Sequence, residues 1–285
     1  LPGIQKGKTF TAIMEIPIED FYEDVLAKTA KGLGFSASDL SEQSGLDKDA
    51  IRDALRGNFV EEEARALAPL LNLDPEALVL LGQANWKPSK VDIAGLALFN
   101  TPFGDMTVNA FIVWDPVSKE AAVFDSGADA TEMLSFIKSE GLAIQGVWVT
   151  HTHGDHIEDI RSIVSEHNCP VYVGEKELAN FGISFEAGKT FSIGNLSIGT
   201  RLTWGHAKGG ITFVIHGLER PIAVVGDALF AQSMGGGMVS FTDALETSGR
   251  EIMTLPDDTI ICPGHGPMTS VGEEKRVNPF FAGKY

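Results

Sequence analysis

A chain of 285 residues exceeds the roughly 150 of an average domain and is long enough for a sizeable core with an appendage. Apolar residues at 44% and charged residues at 21% are the composition of a folded globule, which excludes disorder as the main state. The balance of 39 acidic against 22 basic residues, a formal charge of −17, repels phosphate backbones and anionic lipid, so neither nucleic acid nor membrane is an expected partner.

Residues 1–17 are expected to form an arm, of which 1–13 are expected to carry no weight in the fold, because Met14-Glu-Ile-Pro reads as a natural start. Glu15, Glu19 and Asp20 stand where a signal peptide would be basic and then apolar, and no run of 18 apolar residues occurs. The cytoplasm is therefore the expected location. Residues 18–85 read as a small all-α domain: Phe21, Val25 and Leu26, then Leu40, Leu46, Ile51, Leu55, Leu67, Leu70 and Leu71, recur at helical spacing. Ser36-Ala-Ser-Asp and Asp74-Pro-Glu supply helix starts, and Gly45 and Gly57 supply stops.

Within that stretch, residues 39–58 resemble the helix-turn-helix of small phage-repressor-like domains, with Gly45 in the turn and residues 47–56 as the second helix. A recognition helix needs a basic face, yet Lys48, Arg52 and Arg56 are offset by Asp47, Asp49 and Asp53. Residues 18–81 hold 6 basic and 14 acidic side chains, a net of −8. The bundle is expected to cover the second domain or to pair with a second copy of the chain.

After Asn85-Trp-Lys-Pro-Ser-Lys the pattern changes to short β-rich runs separated by Gly, Asp and Pro. Strands are predicted over 108–114, 121–125, 147–150, 171–173, 211–215, 222–225 and 259–262, with helices over 131–140 and 157–167. The mixture predicts a layered α/β domain over 91–285. Cys169 and Cys262 are far apart and outside metal-type spacing, which predicts two buried thiols and no disulfide framework.

The most informative segment is Val147-Trp-Val-Thr-His-Thr-His-Gly-Asp-His-Ile, an apolar strand running into His151, His153, Asp155 and His156. Imidazole and carboxylate at this density are donors for divalent zinc, iron or manganese. Residues i and i+2 of an extended segment point the same way, so His151 and His153 can share one ion, while Asp155 and His156 lie further round the turn. Three later positions repeat the form, a metal-capable residue beside glycine at or beyond a strand end: His206, Asp227 and His265. His167 and His216 stand alone and read as ordinary surface or hydrogen-bonded residues.

The order His-x-His-x-Asp-His, Gly-His, Gly-Asp, Pro-Gly-His-Gly resembles the metallo-β-lactamase-fold hydrolases, and within them the short glyoxalase II-like (hydroxyacylglutathione hydrolase-like) branch. Gly226-Asp-Ala-Leu-Phe230 and the tail from Leu255 to Phe280 carry the same likeness. The resemblance implies an αββα sandwich with two divalent ions at one edge. His151, His153 and His206 would hold one ion, Asp155, His156 and His265 the other, with Asp227 bridging and Asp125 orienting the ligand loop from behind. It further implies hydrolysis of a small thioester, ester or lactone by a hydroxide held between the ions, with Asp155 orienting it and handling a proton. Zinc is the expected metal, and the same donors accept iron or manganese.

Departures from relatives narrow the reaction. β-Lactamases proper lack aspartate at the position of Asp227, and flavodiiron relatives carry glutamate where His153 stands. Full-length glyoxalase II continues in a long helical extension, whereas 20 residues follow His265 here, and no basic residue occurs from Ala231 to Thr242 to meet glutathione carboxylates. Trp204 and Lys208 flank His206 where relatives show proline and threonine. Two readings stand beside the hydrolase: a mononuclear iron sulfur (persulfide) dioxygenase using His151, His153, His206 and Asp227, and a ligand sensor whose helix-turn-helix reads DNA.

Overall fold

The computed structural model describes residues 16–285, so the arm expected at 1–17 lies outside the described residues as far as position 15. Two six-stranded sheets face each other. The first runs β1 (Leu96–Phe103), β2 (Met106–Trp114), β3 (Glu120–Phe124), β4 (Ala143–Val149), β5 (Val171–Gly174), β6 (Ile183–Phe185). The second runs β12 (Thr269–Ser270), β11 (Ile260–Pro263), β10 (Ile222–Gly226), β9 (Ile211–His216), β8 (Leu196–Leu202), β7 (Thr190–Ile193).

Strand alternation sorts the side chains into layers. Phe111, Val113, Phe124 and Trp148 of the first sheet meet Phe213, Ile215, Val224 and Cys262 of the second between the sheets. Their neighbours Ala110, Ile112, Ala121 and Val123 point outward and pack on Met133 and Ile137 of α6 (Thr131–Glu140) and on Ile160 and Ile163 of α8 (Ile160–His167). Strands β3 to β6 pair in parallel; α6 crosses from β3 to β4, α7 and α8 from β4 to β5, and a loop from β5 to β6. The architecture is the expected α/β sandwich. Cys169 and Cys262 are buried free thiols.

The outer face of the second sheet is covered from two ends of the chain. The N-terminal helices are α1 (Tyr22–Leu33), α2 (Ala37–Ser44), α3 (Lys48–Ala54), α4 (Glu61–Leu67), a 3-10 turn at Pro69–Leu71, and α5 (Pro75–Gly82). The Ser36 hydroxyl accepts the Asp39 amide and the Asp74 carboxylate accepts the Ala77 amide, so the expected helix starts are real caps. Gly45 ends α2 at φ +74°, a left-handed conformation that favours glycine. Their buried side chains, Val25, Leu26, Leu40, Ile51, Leu71 and Leu78, are continuous with Val214 and Val225 of the sheet, Phe241 of α9 (Phe241–Glu251), and Phe280 and Phe281 beyond α10 (Val271–Val277). The Asp74 amide also donates to the Pro279 carbonyl at 2.7 Å.

Several elements differ from expectation. The helix expected at 157–167 is two pieces, α7 (Gly154–Ile157) and α8, because the chain turns at Asp159, whose amide donates to Ser126 Oγ (3.1 Å) and whose carboxylate accepts the Ala130 amide (2.8 Å). Strands β1, β6, β7, β8 and β12 and helices α9 and α10 went unread. β1 contains Pro102 and is half-exposed, and beyond Phe241 at its first position α9 buries Ala244, Thr247, Ser248 and Gly249, too small or polar to mark a helical stripe.

One shared core predicts one cooperative unfolding transition. Leu26→Ala and Phe281→Ala are each expected to lower stability by about 2–5 kcal/mol and to move that single transition in urea. Two transitions, with Leu26→Ala moving only one, would mark the N-terminal helices as a separate domain.

Candidate metal centre

The site forms where strands of both sheets end. β4 runs out through Thr150 into His151 and His153. Asp125, just beyond β3 at φ +58°, faces it: its carboxylate accepts the Thr150 amide and hydroxyl, both at 2.7 Å, and lies 2.8 Å from His156 Nδ1. His151 Nε2 and His206 Nε2 each come to 3.0 Å from His153 Nδ1. Ligands about 2.0–2.1 Å from a tetrahedral ion lie roughly 3.3 Å apart, so the three rings aim at one such point. Asp155 Oδ2 lies 3.2 Å from His265 Nε2 and 3.6 Å from His156 Nε2. Asp227, after β10, stands between: Oδ2 is 3.3 Å from His206 Nε2 and 3.5 Å from His265 Nε2, and Oδ1 is 3.2 Å from His156 Nε2.

The donor atoms fall into two groups, His151, His153, His206 and Asp227 in one and Asp155, His156 and His265 in the other, each within 4.8 Å mutually. His156 Nε2 and Asp227 Oδ1 are buried without a hydrogen-bond partner. Burying such atoms unpaired is costly unless something else satisfies them, so this donor set fits two cations. His167 and His216 belong to neither group.

Four histidines are aimed by a second contact on the remote nitrogen. His206 Nδ1 is 2.8 Å from the Gly236 carbonyl, His265 Nδ1 is 2.6 Å from the Thr107 carbonyl, His156 Nδ1 meets Asp125, and His151 Nδ1 is 3.1 Å from Thr150 Oγ1. Such contacts fix ring orientation and tautomer. Gly264 is needed for a different reason, since a Cβ there would run into Asp227 Oδ1 and His156 Cε1.

Charge inside the cluster is mutually compensating. Burial raises the Asp227 carboxyl, but His156, His206 and His265 more than offset this and hold it well below the carboxylate range. Burial opposes charge on His156, yet Asp227 and Asp125 push it up to about 10; His265 is likewise pushed up to about 11 by Asp155 and Asp227. His151, with burial and the neighbouring His156 against its charge, falls well below the ordinary value.

Two supporting networks escaped the sequence reading. Glu177, in the loop after β5, accepts the Thr152 amide (2.9 Å), the Thr152 hydroxyl (2.5 Å) and the Gly209 amide (2.7 Å). It thereby ties the residue between His151 and His153 to the loop that follows His206. On the other side, Lys28 of α1 donates to Asp20 (2.5 Å) and to the Met234 carbonyl (2.7 Å), and Ser233 donates to Asp20 (2.5 Å). The N-terminal helices therefore reach the loop that follows Asp227. Neither network has a local sequence signal, because its partners are far apart in the chain. Of the residues flanking His206, Trp204 contributes its carbonyl to Thr247 Oγ1 at 2.8 Å, and Lys208 is exposed.

Two outcomes follow for metal binding. Glu177→Ala is expected to weaken one of two zinc-binding steps by about 10–100-fold and spare the other, measured by competition with a chelator; equal weakening of both, or none, would refute a role at one group. Because His156 and His265 hold protons below about 10 and about 11 in the metal-free protein, uptake must expel them. Apparent affinity should therefore rise from pH 6 to pH 8 with measurable proton release, and a flat profile would contradict the assignment.

Residues 103–265 match the family profile described as Metallo-beta-lactamase superfamily. A probable metallo-hydrolase of Streptococcus pyogenes serotype M6 is 31% identical over 197 residues, 58% of this chain and 83% of the relative. The hydroxyacylglutathione hydrolase GloC of Haemophilus influenzae is 27% identical over 204 residues, 62% of this chain and 93% of the relative. The crystal structure of the BLEG-1 B3 metallo-beta-lactamase superposes with a TM-score of 0.56 at 27% identity, over 66% of this chain and 100% of that one. With more than half its length matched and the motif residues gathered into one His and Asp cluster, the chain belongs to the metallo-beta-lactamase superfamily.

Proposed function

We propose that the protein is a dinuclear metal-dependent hydrolase of small thioesters, esters or lactones. The observation that carries the reading is the position of Asp227, whose two oxygens face both donor groups at once. His151, His153 and His206 would hold one ion, Asp155, His156 and His265 the other, with Asp227 shared. When bound, the ions supply Lewis acidity, which acidifies water and polarises an acyl carbonyl.

The chain's own contribution is orientation and proton handling. Asp155 is the more exposed of the two carboxylates in the cluster, at a side-chain exposure of 12% against 7% for Asp227. Burial raises its carboxyl, and His265 and His156 outweigh that and lower it, so it stays an anion at neutral pH. An ionised carboxylate at the edge of the cluster is suited to orient an attacking water and accept its proton. Asp125 acts through His156 and Thr150, holding the ring and the strand end in place.

The hydroxyacylglutathione hydrolase relative supports thioester chemistry, while the aspartate at 227 argues against β-lactams as the substrate class despite the likeness to a B3 enzyme. The experiment is elemental analysis of purified protein alongside a panel of thioester, lactone, phosphodiester and β-lactam. Two ions per chain and turnover of the first two are expected; one iron with oxygen uptake would replace this reading with the dioxygenase. Asp227→Ala is expected to lose metal and at least about a hundredfold in turnover, whereas Asp129→Ala, which removes contacts to Thr131 at the start of α6, should lose little of either.

The bundle is proposed to cover the sheet and not to bind DNA. Arg52 of α3 pairs with Asp49 at 2.7 Å, and Arg56, in the turn after α3, pairs with Asp53 at 3.7 Å, which neutralises the face a recognition helix would present. Selection against a random duplex library at ~150 mM salt should yield no specific complex. A salt-sensitive one lost on Arg52→Glu would restore the regulator.

A further inference from the structure

The chain ahead of α1 lies far outside the matched residues 103–265, yet it packs beside the metal centre. Gly266 follows His265 directly, and a Cβ built there would lie 3.2 Å from the Glu19 amide nitrogen, 3.5 Å from Glu19 Cβ and 3.6 Å from the Pro17 carbonyl oxygen. The next residue, Asp20, is pinned by Ser233 Oγ and Lys28 Nζ, both at 2.5 Å. Lys28 in turn holds the Met234 carbonyl and stands 5.9 Å from the centre of the Phe230 ring, whose edge-on neighbour at 5.7 Å is His265. The segment is thus tied to both loops that carry Asp227 and His265.

The Glu19 side chain is half-buried: burial raises its carboxyl above the ordinary value, His265 and Lys28 pull it down, and Asp20 and Asp227 push it up. The one cation among these besides the histidine, Lys28, is already occupied by Asp20 and by a backbone carbonyl. Among the other residues beside the donor loops, Phe103 and the exposed Val239 are apolar, with Phe103 Cζ 3.9 Å from a Cβ built on Gly154 and the Val239 amide donating to the Gly205 carbonyl; the Glu177 carboxylate is taken up by the Thr152 and Gly209 N–H groups, and the exposed Lys208 stands two residues past His206.

We propose that residues 17–20 form a wall of the substrate entrance and that Glu19 is a specificity-determining residue which disfavours substrates carrying an anionic group near the scissile bond. The substrate class is then neutral or cationic acyl thioesters, esters and lactones, not thioesters of glutathione, which bring carboxylates to the entrance. This rests on the hydrolase reading for the bond cleaved, but the charge discrimination is a binding property and is tested apart from it. Like charges a few ångströms apart at a partly buried site repel strongly enough to set a several-fold preference, and salt weakens it.

The test uses the metal-loaded protein and three variants, Glu19→Gln, Glu19→Lys and, as a control of the same charge change on an exposed face of α8, Glu166→Gln. Two non-hydrolysable thioethers, S-hexylglutathione and S-hexyl-N-acetylcysteamine, are titrated calorimetrically, and the corresponding hexanoyl thioesters are assayed for kcat/KM. Glu19→Gln should tighten S-hexylglutathione at least about five-fold, Glu19→Lys more, with the neutral thioether within two-fold and the difference shrinking in 0.5 M salt. The control should behave as wild type. Parallel shifts of both ligands, no shift, or no binding of either ligand by any of the proteins overturns the proposal. If the binding preference moves as expected while neither thioester is cleaved, the hydrolase reading fails and the role of Glu19 stands. If both thioesters are cleaved in an unchanged ratio and the thioether affinities do not separate, the hydrolase stands and the role of Glu19 fails.

Discussion

The structure turns on the buried carboxylate of Asp227. An ion with so little solvent contact is tolerated only when opposite charge and hydrogen-bond donors surround it, and removing a partner from such a pair costs about 3–5 kcal/mol. Here the partners are imidazoles brought from three different strand ends, His156 after β4, His206 after β8 and His265 after β11. Each is aimed by a contact behind it, so the geometry around Asp227 is paid for by Asp125, by the Thr107 carbonyl and by the Gly236 carbonyl. The two sheets must therefore stay in register for the carboxylate to remain compensated. Gly264 expresses the same demand in the backbone, since the chain passes too close to Asp227 and His156 for any side chain.

The register of the sheets depends in turn on what covers them. On the first sheet α6 and α8 lie within the parallel crossovers and come with the topology. On the second sheet the cover combines α9, the C-terminal Phe280 and Phe281, and the N-terminal helices in a single hydrophobic cluster. The helices beyond the matched region are thus part of the layer that keeps β9, β10 and β11 dry. Through Lys28 and Asp20 they also hold the loop that follows Asp227, coupling the outer layer to the metal centre.

What the sequence made legible divides along this line. His151, His153, Asp155 and His156 stand within six positions after an apolar strand, and Asp227 and His265 sit beside glycines at later strand ends, so short-range pattern and residue chemistry identify them together. The interior strands β2, β3, β4, β9 and β10 are legible because burial on both faces makes them continuous apolar runs. Illegible were edge strands such as β1 and β7, whose exposed positions dilute the pattern, and every interaction whose partners are joined only by the fold. Glu177 reaches Thr152 from 25 residues away and Lys28 reaches Met234 from 206 away, and a lone glutamate or lysine carries no mark of either.

The overall charge of −17 is also less informative than its placement. At physiological salt a surface charge is screened within about 8 Å, so carboxylates spread over the far faces cannot select what enters a site between two sheets. Selection at the centre has to come from ionised groups within that distance and from their partners. Asp20 is neutralised by Lys28, and Asp155 and Asp227 face the histidines and any cations they hold, while Glu19 lies half-buried beside the loop that follows His265, with Lys28 already engaged by Asp20. On the role proposed for Glu19, a chain segment outside the matched superfamily region adds charge discrimination to a centre whose donors the superfamily motif supplies.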